Sequence, residues 1–159
     1  MGVKLGKITS NEAYSSRWIL AALSDFNGQL QARDIIRFLQ YATEDAGRPI
    51  YEDRYIMPAE IKKAVPNCSN KKLNEVIQEI AALKPIFTKL ESLPEEKRIL
   101  PFHSDTFELT ETDEKLMKQE GYLKIDNDKY YLPEIIRHAL KFKYERGARP
   151  KVLSLLLSK

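Results

Sequence analysis

The chain has 159 residues, 43% apolar and 31% charged. That is enough for a core and a solvated shell in one ordinary domain, or two small ones sharing a core, and it excludes a disordered or collagen-like chain. No apolar run approaches the ~18–20 residues of a bilayer span. No long apolar stretch follows the basic start Met1–Lys7 as it would in a secretory signal, and one cysteine, Cys68, makes neither an internal disulfide nor a thiolate cage. The chain therefore reads as cytoplasmic and mostly helical.

The net charge of +3 is unevenly spread. Residues 88–128 carry six basic against eleven acidic side chains, whereas 137–159 carry seven basic ones against Glu145 alone. A basic tail of that kind can meet phosphate, and it can equally be a solvated terminus.

In chain order, Thr9-Ser10-Asn11-Glu12 is a capping signature. Tyr14, Trp18, Ala21 and Ala22 then recur at helical spacing, so a first helix is expected over Asn11 to Phe26, stopped by Asn27-Gly28. A second runs from about Leu30 to Asp45. Its buried stripe is read as Ala32, Ile35, Ile36, Leu39 and Ala42 or Thr43, with Arg33, Asp34, Arg37 and Gln40 off it.

Pro58 starts a short helix that Pro66 ends. A turn at Asn67–Asn70 and a longer helix from Lys71 to about Leu83 would complete a helix-turn-helix. Lys71, Lys72, Asn74, Glu75 and Gln78 face outward on that second helix. Lys84-Pro85 breaks the pattern, and Pro94–Arg98 is a short polar helix or connector. Thr110–Asp113 caps a helix with Leu116 and Met117 inside, ending at Gly121. Gly121–Ile125 and Lys129–Leu132 flank the polar turn Asp126-Asn127-Asp128 as a hairpin, and Pro133–Leu140 returns as a helix. Helix, hairpin and returning helix follow the order of a winged-helix wing and its flank. The fold class is therefore mainly α with a small β-hairpin.

The chemistry is sparse. No glycine-rich phosphate loop, His-Glu-x-x-His or Gly-x-Ser-x-Gly occurs, so no catalytic or metal-ligating residue is assigned and the chain is not expected to be an enzyme by itself. His103 and His138 read as a loop and a helix residue. Asp126 and Asp128 are ordinary turn chemistry. Cys68 is either a half-buried thiol or, at the start of the Lys71 helix, one of lowered pKa. Three features remain: the helix pair with a glycine turn before Arg33 and Arg37, the helix-turn-helix over Pro58–Leu83, and the tail Tyr144–Leu153 with Arg146, Arg149 and an apolar end. Arg33 and Arg37, four residues apart on one helix, can fork onto a phosphate or form an ion-pair ladder with Asp34.

The run Gly28-Gln29-Leu30-Gln31-Ala32-Arg33, with the helix pair Arg17-Trp18 to Ala42, resembles the small helical lid of AAA+ and related P-loop ATPases. There a glycine turn leads to an arginine that senses the nucleotide. Together with Tyr131-Leu132-Pro133-Glu134-Ile135, the layout is similar to the C-terminal part of bacterial P-loop ATPases, some of them partition-type, and to initiator ATPases in which a winged helix follows the lid. The resemblance implies a lid-like unit at 9–47, a winged-helix-like domain at 55–145 and a basic, apolar tail at 146–159. It makes Arg33 the nucleotide sensor and Arg37 its back-up. ATP and Mg²⁺ would belong to an ATPase core that this sequence lacks, and no cofactor is expected in the chain itself.

The function expected first is a non-catalytic regulatory region coupling nucleotide state to DNA or protein binding. The second is a stand-alone winged-helix DNA-binding regulator, with Lys71, Lys72, Asn74 and Gln78 in the major groove and Lys124 or Lys129 on phosphate. The third is a winged-helix protein-interaction module using Tyr130, Tyr131, Phe142 and Tyr144. No membrane partner is expected.

Overall fold

The computed structural model describes residues 15–44, 56–107 and 109–146. The expected Thr9 cap, the start of the first helix at Asn11 and the tail beyond Arg146 lie outside these residues.

The first helix, α1, spans Ser15–Leu23 and buries Trp18, Ile19, Ala22 and Leu23. It stops short of the expected Phe26 because the Asp25 carboxylate accepts from the Gln29 amide at 2.9 Å and Gly28 turns the chain at φ 73°. The second helix, α2, is Ala32–Thr43, and its inner face is rotated from the one expected. Asp34, Phe38 and Ala42 are buried, while Ile36 and Leu39 are 58% and 41% exposed. Phe38 is the largest side chain the helix has to bury. One turn before it Asp34 meets a buried lysine, so the arc centred on Phe38 faces inward.

The helix-turn-helix expected at Pro58–Leu83 is corrected by the structure. A single helix, α3, runs from Pro58 to Glu79 with Pro66 inside it. Proline there forgoes one intrahelical bond and costs about 3 kcal/mol. Against that, Ile61, Ala64, Val65, Cys68, Leu73 and Val76 form one buried stripe across the proline. Each large aliphatic of that stripe contributes about 1.5–3 kcal/mol, so the stripe outweighs the lost bond. A 3₁₀ turn at Ala81–Leu83 leads into α4, Lys84–Ser92. Pro85, expected as a breaker, sits in the first turn of α4, where a missing N–H is harmless.

After a 3₁₀ turn at Glu95–Lys97 come β1 (Ile99–Leu100) and β2 (Phe102–His103), joined through a cis Leu100–Pro101 peptide. Helix α5, Glu111–Gln119, starts as expected on a full capping box. The Thr110 hydroxyl accepts from the Asp113 amide, and the Asp113 carboxylate accepts from the Thr110 amide, both at 3.1 Å. The hairpin is also where the sequence places it, with β3 at Lys124–Asp126 and β4 at Lys129–Tyr131. Asn127 and Asp128, at φ 50° and 58°, form the left-handed pair of a type I′ turn. Strand β2 pairs antiparallel with β4, giving the order β2-β4-β3 with Phe102 opposite Tyr130. The returning helix α6 is only Glu134–Arg137, and β5 (Lys143–Tyr144) lies parallel to β1. The fold is mainly helical with a small antiparallel sheet, and none of the described helices is long and apolar enough to cross a membrane.

One hydrophobic cluster runs through the described residues, from Trp18 and Phe38 through Ile61, Val76 and Phe87 to Leu132 and Phe142. The loop between α1 and α2 is tied directly to the end of α5. The Phe26 amide donates to the Gly121 carbonyl at 2.8 Å, and Asn27 Nδ2 donates to the Gln119 carbonyl at 2.9 Å. Gly121 stands at φ 76°, and a Cβ there would lie 3.0 Å from both the Asn27 and Asp25 side chains. Gly121→Ala is expected to cost about 1–2 kcal/mol from the left-handed backbone alone, and more from the contact. A urea midpoint unchanged by that substitution would refute the argument.

Candidate functional site

The functional candidates of α2 face α3 across a strip of charge. Arg33 and Arg37 are one turn apart on α2, and Glu75 and Glu79 are one turn apart on α3. Arg33 Nη2 donates to Glu79 Oε1 at 2.7 Å, and its Nε lies 3.3 Å from Glu75 Oε2 and 2.9 Å from Gln31 Oε1. Arg37 grips Glu75 with both terminal nitrogens, at 2.6 and 3.3 Å, and reaches Asp34 Oδ1 at 3.2 Å. The earlier arginine of α2 meets the later glutamate of α3 and the later arginine the earlier one, so the two ladders run in opposite directions.

Beneath them Asp34, buried to 1% of its side chain, takes Lys72 Nζ on its other oxygen at 3.0 Å. The hydrogen bond to Glu79 holds Arg33 above its ordinary pKa, and that to Glu75 does the same for Arg37. In return the Arg37 hydrogen bond pulls Glu75 below the usual carboxylate range.

The structure sorts the predicted nucleic-acid residues. Lys71, Asn74 and Gln78 are exposed on α3, but Lys72 points inward and is the buried partner of Asp34. The expectation that Lys72 faces outward is thus corrected: the carboxylate on α2 gives its ammonium a partner that water otherwise supplies. Lys124 and Lys129 lie on the hairpin, half-buried, with Lys129 directly across from Asp126. The helix that precedes the hairpin is α5, where Glu111, Asp113 and Glu114 outnumber Lys115 and Lys118. Along it lies a hollow of about 670 Å³ lined by Glu111, Thr112, Glu114, Lys115 and Lys118. Tyr130 donates its hydroxyl to Glu114 there, which pushes the phenol up to about 12.

Cys68 is in the middle of α3 rather than at a helix start. Burial, acting against the nearby Arg37 charge, pushes its thiol up to about 12, so it is a packing residue. Among the described residues no group of three His, Cys, Asp or Glu is placed to hold a metal ion.

A second polar cluster was not expected from the sequence. Glu134, fully buried, takes Arg137 Nε and Nη2 on Oε2 at 3.1 and 2.9 Å and the Tyr144 hydroxyl on Oε1. Arg137 also donates to the Phe142 carbonyl, and its guanidinium lies 4.6 Å from the centre of the Tyr144 ring. His138 Nε2 sits 3.2 Å from Glu134 Oε2 and 2.6 Å from Arg137 Nη2, within reach of both. Burial alone would raise the Glu134 carboxyl, but the hydrogen bond from His138, the Arg137 charge and the Tyr144 hydroxyl outweigh it and hold it at about 2. The spacing Glu134-x-x-Arg137-His138 on one helical face was the available signal. For the ladder it was the matching four-residue steps of Arg33/Arg37 and Glu75/Glu79.

Comparisons with protein-family models, with curated proteins and with solved structures each return no match to this chain.

Proposed function

We propose that this chain is the non-catalytic regulatory region of a P-loop ATPase, in which α1 and α2 cap a nucleotide-binding core and the α5–hairpin end meets a partner protein. The observation that carries the reading is the outer face of α2. Ile36 and Leu39 stand 58% and 41% exposed on the side away from the core, on the same helix as the half-exposed Arg33. A helix that is apolar on both faces is covered on both when assembled, and an arginine beside such a face is placed to meet what covers it. ATP and Mg²⁺ would belong to that core, and the guanidinium fork of Arg33 fits a terminal phosphate. A charge-assisted contact made to the triphosphate and lost with its last phosphate supplies the differential affinity a switch requires.

The charge of α5 supports a protein rather than DNA as the partner at the other end. The helix ahead of the hairpin carries more acid than base, and on α3, the helix expected in the major groove, Lys72 is occupied inside. The test is Arg33→Ala in the ATPase that carries this region. Turnover should fall by an order of magnitude or more, the scale of losing one charge-assisted donor at a phosphoryl-transfer site. The unfolding midpoint of the chain should barely move, because the side chain is half exposed. Unchanged turnover would sink the reading, and salt-sensitive binding of a labelled duplex would return the partner to DNA.

A further inference from the structure

The two arginines of the ladder are not equivalent. Arg37 is a fixed rung: its side chain is 19% exposed, two of its nitrogens grip Glu75, and it leans on Asp34, which Lys72 holds from the other side. Arg33 is 45% exposed, and its shortest contact is to Glu79, itself 51% exposed. A pair this wet is weak and exchanges readily, whereas a phosphate offers the guanidinium a more highly charged acceptor of matching fork geometry.

We infer that Glu79 is a resting partner for Arg33 that an incoming phosphate group displaces, while Arg37, Glu75, Asp34 and Lys72 form the immobile base of the exchange. The inference rests on the ATPase reading for the source of that phosphate, a nucleotide, and on the described residues alone for the exchange. Glu79 therefore sets the threshold: it occupies the guanidinium whenever no phosphate is near, and once displaced it repels the anion that replaced it. The rest of the ladder keeps the backbone of Arg33 in place, so the exchange moves one side chain rather than the helix.

The experiment is a titration of the ¹⁵N-labelled chain with inorganic pyrophosphate, following the arginine Nε–H signals. The Arg33 signal should move while that of Arg37 stays. Glu79→Gln should tighten the apparent affinity roughly two- to fivefold, the worth of one exposed ion pair. Arg33→Gln should abolish the response. Unchanged affinity in Glu79→Gln, or Arg37 moving in step with Arg33, overturns the inference. A parallel titration with ATP separates the sources: tighter binding than pyrophosphate assigns the site to a nucleotide, equal binding to the phosphate chain alone, and both support the exchange. The two readings fail separately. Pyrophosphate exchange with normal turnover of the Arg33→Ala ATPase removes the ATPase reading and keeps the exchange. Impaired turnover without a Glu79 effect does the reverse.

Discussion

Asp34→Ala is expected to destabilise the chain by about 3–5 kcal/mol, the cost of stranding a buried charge. Lys72 is 7% exposed, and the Asp34 carboxylate, 3.0 Å away, is its buried counter-charge. Removing the aspartate leaves an ammonium inside the α2–α3 contact and takes one acceptor from Arg37. The size of the effect comes from the survivor rather than from the bond itself. Replacing both partners, as Asp34→Leu with Lys72→Met, should therefore recover most of the loss, because a well-packed apolar pair is about as good as a buried ion pair. Urea unfolding of the two variants checks this. A single variant costing less than about 1 kcal/mol, or a double variant worse than the single, would contradict it.

Glu134→Gln should cost about 3 kcal/mol at neutral pH, and the cost should disappear in acid. The carboxyl lies at about 2 in the folded chain against an ordinary value of 4.5. A depressed folded value means that the charged form is favoured by folding. Its stabilisation is fully present above about pH 4.5 and is lost as the pH falls towards 2. A depression of that size corresponds to about 3 kcal/mol. Glu75 and Glu95 are also held below the carboxylate range and weaken the native chain in acid as well. The difference between the native chain and Glu134→Gln isolates the buried group. That difference, from urea unfolding at pH 6 and at pH 2.5, should shrink to a small remainder; a difference independent of pH would show that the Glu134 charge carries no stability.

What the sequence made legible was what a few neighbouring residues settle among themselves. The Thr110–Asp113 capping box and the Asn127-Asp128 turn are local chemistry, and both stand where the pattern puts them. Pro66 and the inner face of α2 were misread because each is decided by another part of the chain. The helix runs through Pro66 because six apolar side chains, three before it and three after, have somewhere to go. Asp34 turns inward because Lys72, distant in sequence, is waiting there. An Ile-Ile-x-x-Leu spacing looks like a core stripe whichever side it faces, and periodicity fixes the width of a stripe without saying what lies beneath it. Arg33 and Arg37 were found as a pair, and half of what they do was missed, because matched steps on two helices are visible only when the helices are set side by side.

Those matched steps limit where α2 can rest on α3. A helix that slides along its neighbour finds a new fit only at whole turns, about 5.4 Å apart. Position 71, one turn before Glu75, is a lysine, and position 83, one turn after Glu79, is a leucine beyond the end of α3. A slip one way brings Arg37 against Lys71. A slip the other way carries Arg33 off the last acidic rung, and either slip pulls Asp34 away from Lys72. The charge pattern therefore works as a key with one seat: hydrophobic burial presses the two helices together, and the order Lys71, Glu75, Glu79, Leu83 dictates the position at which they stop.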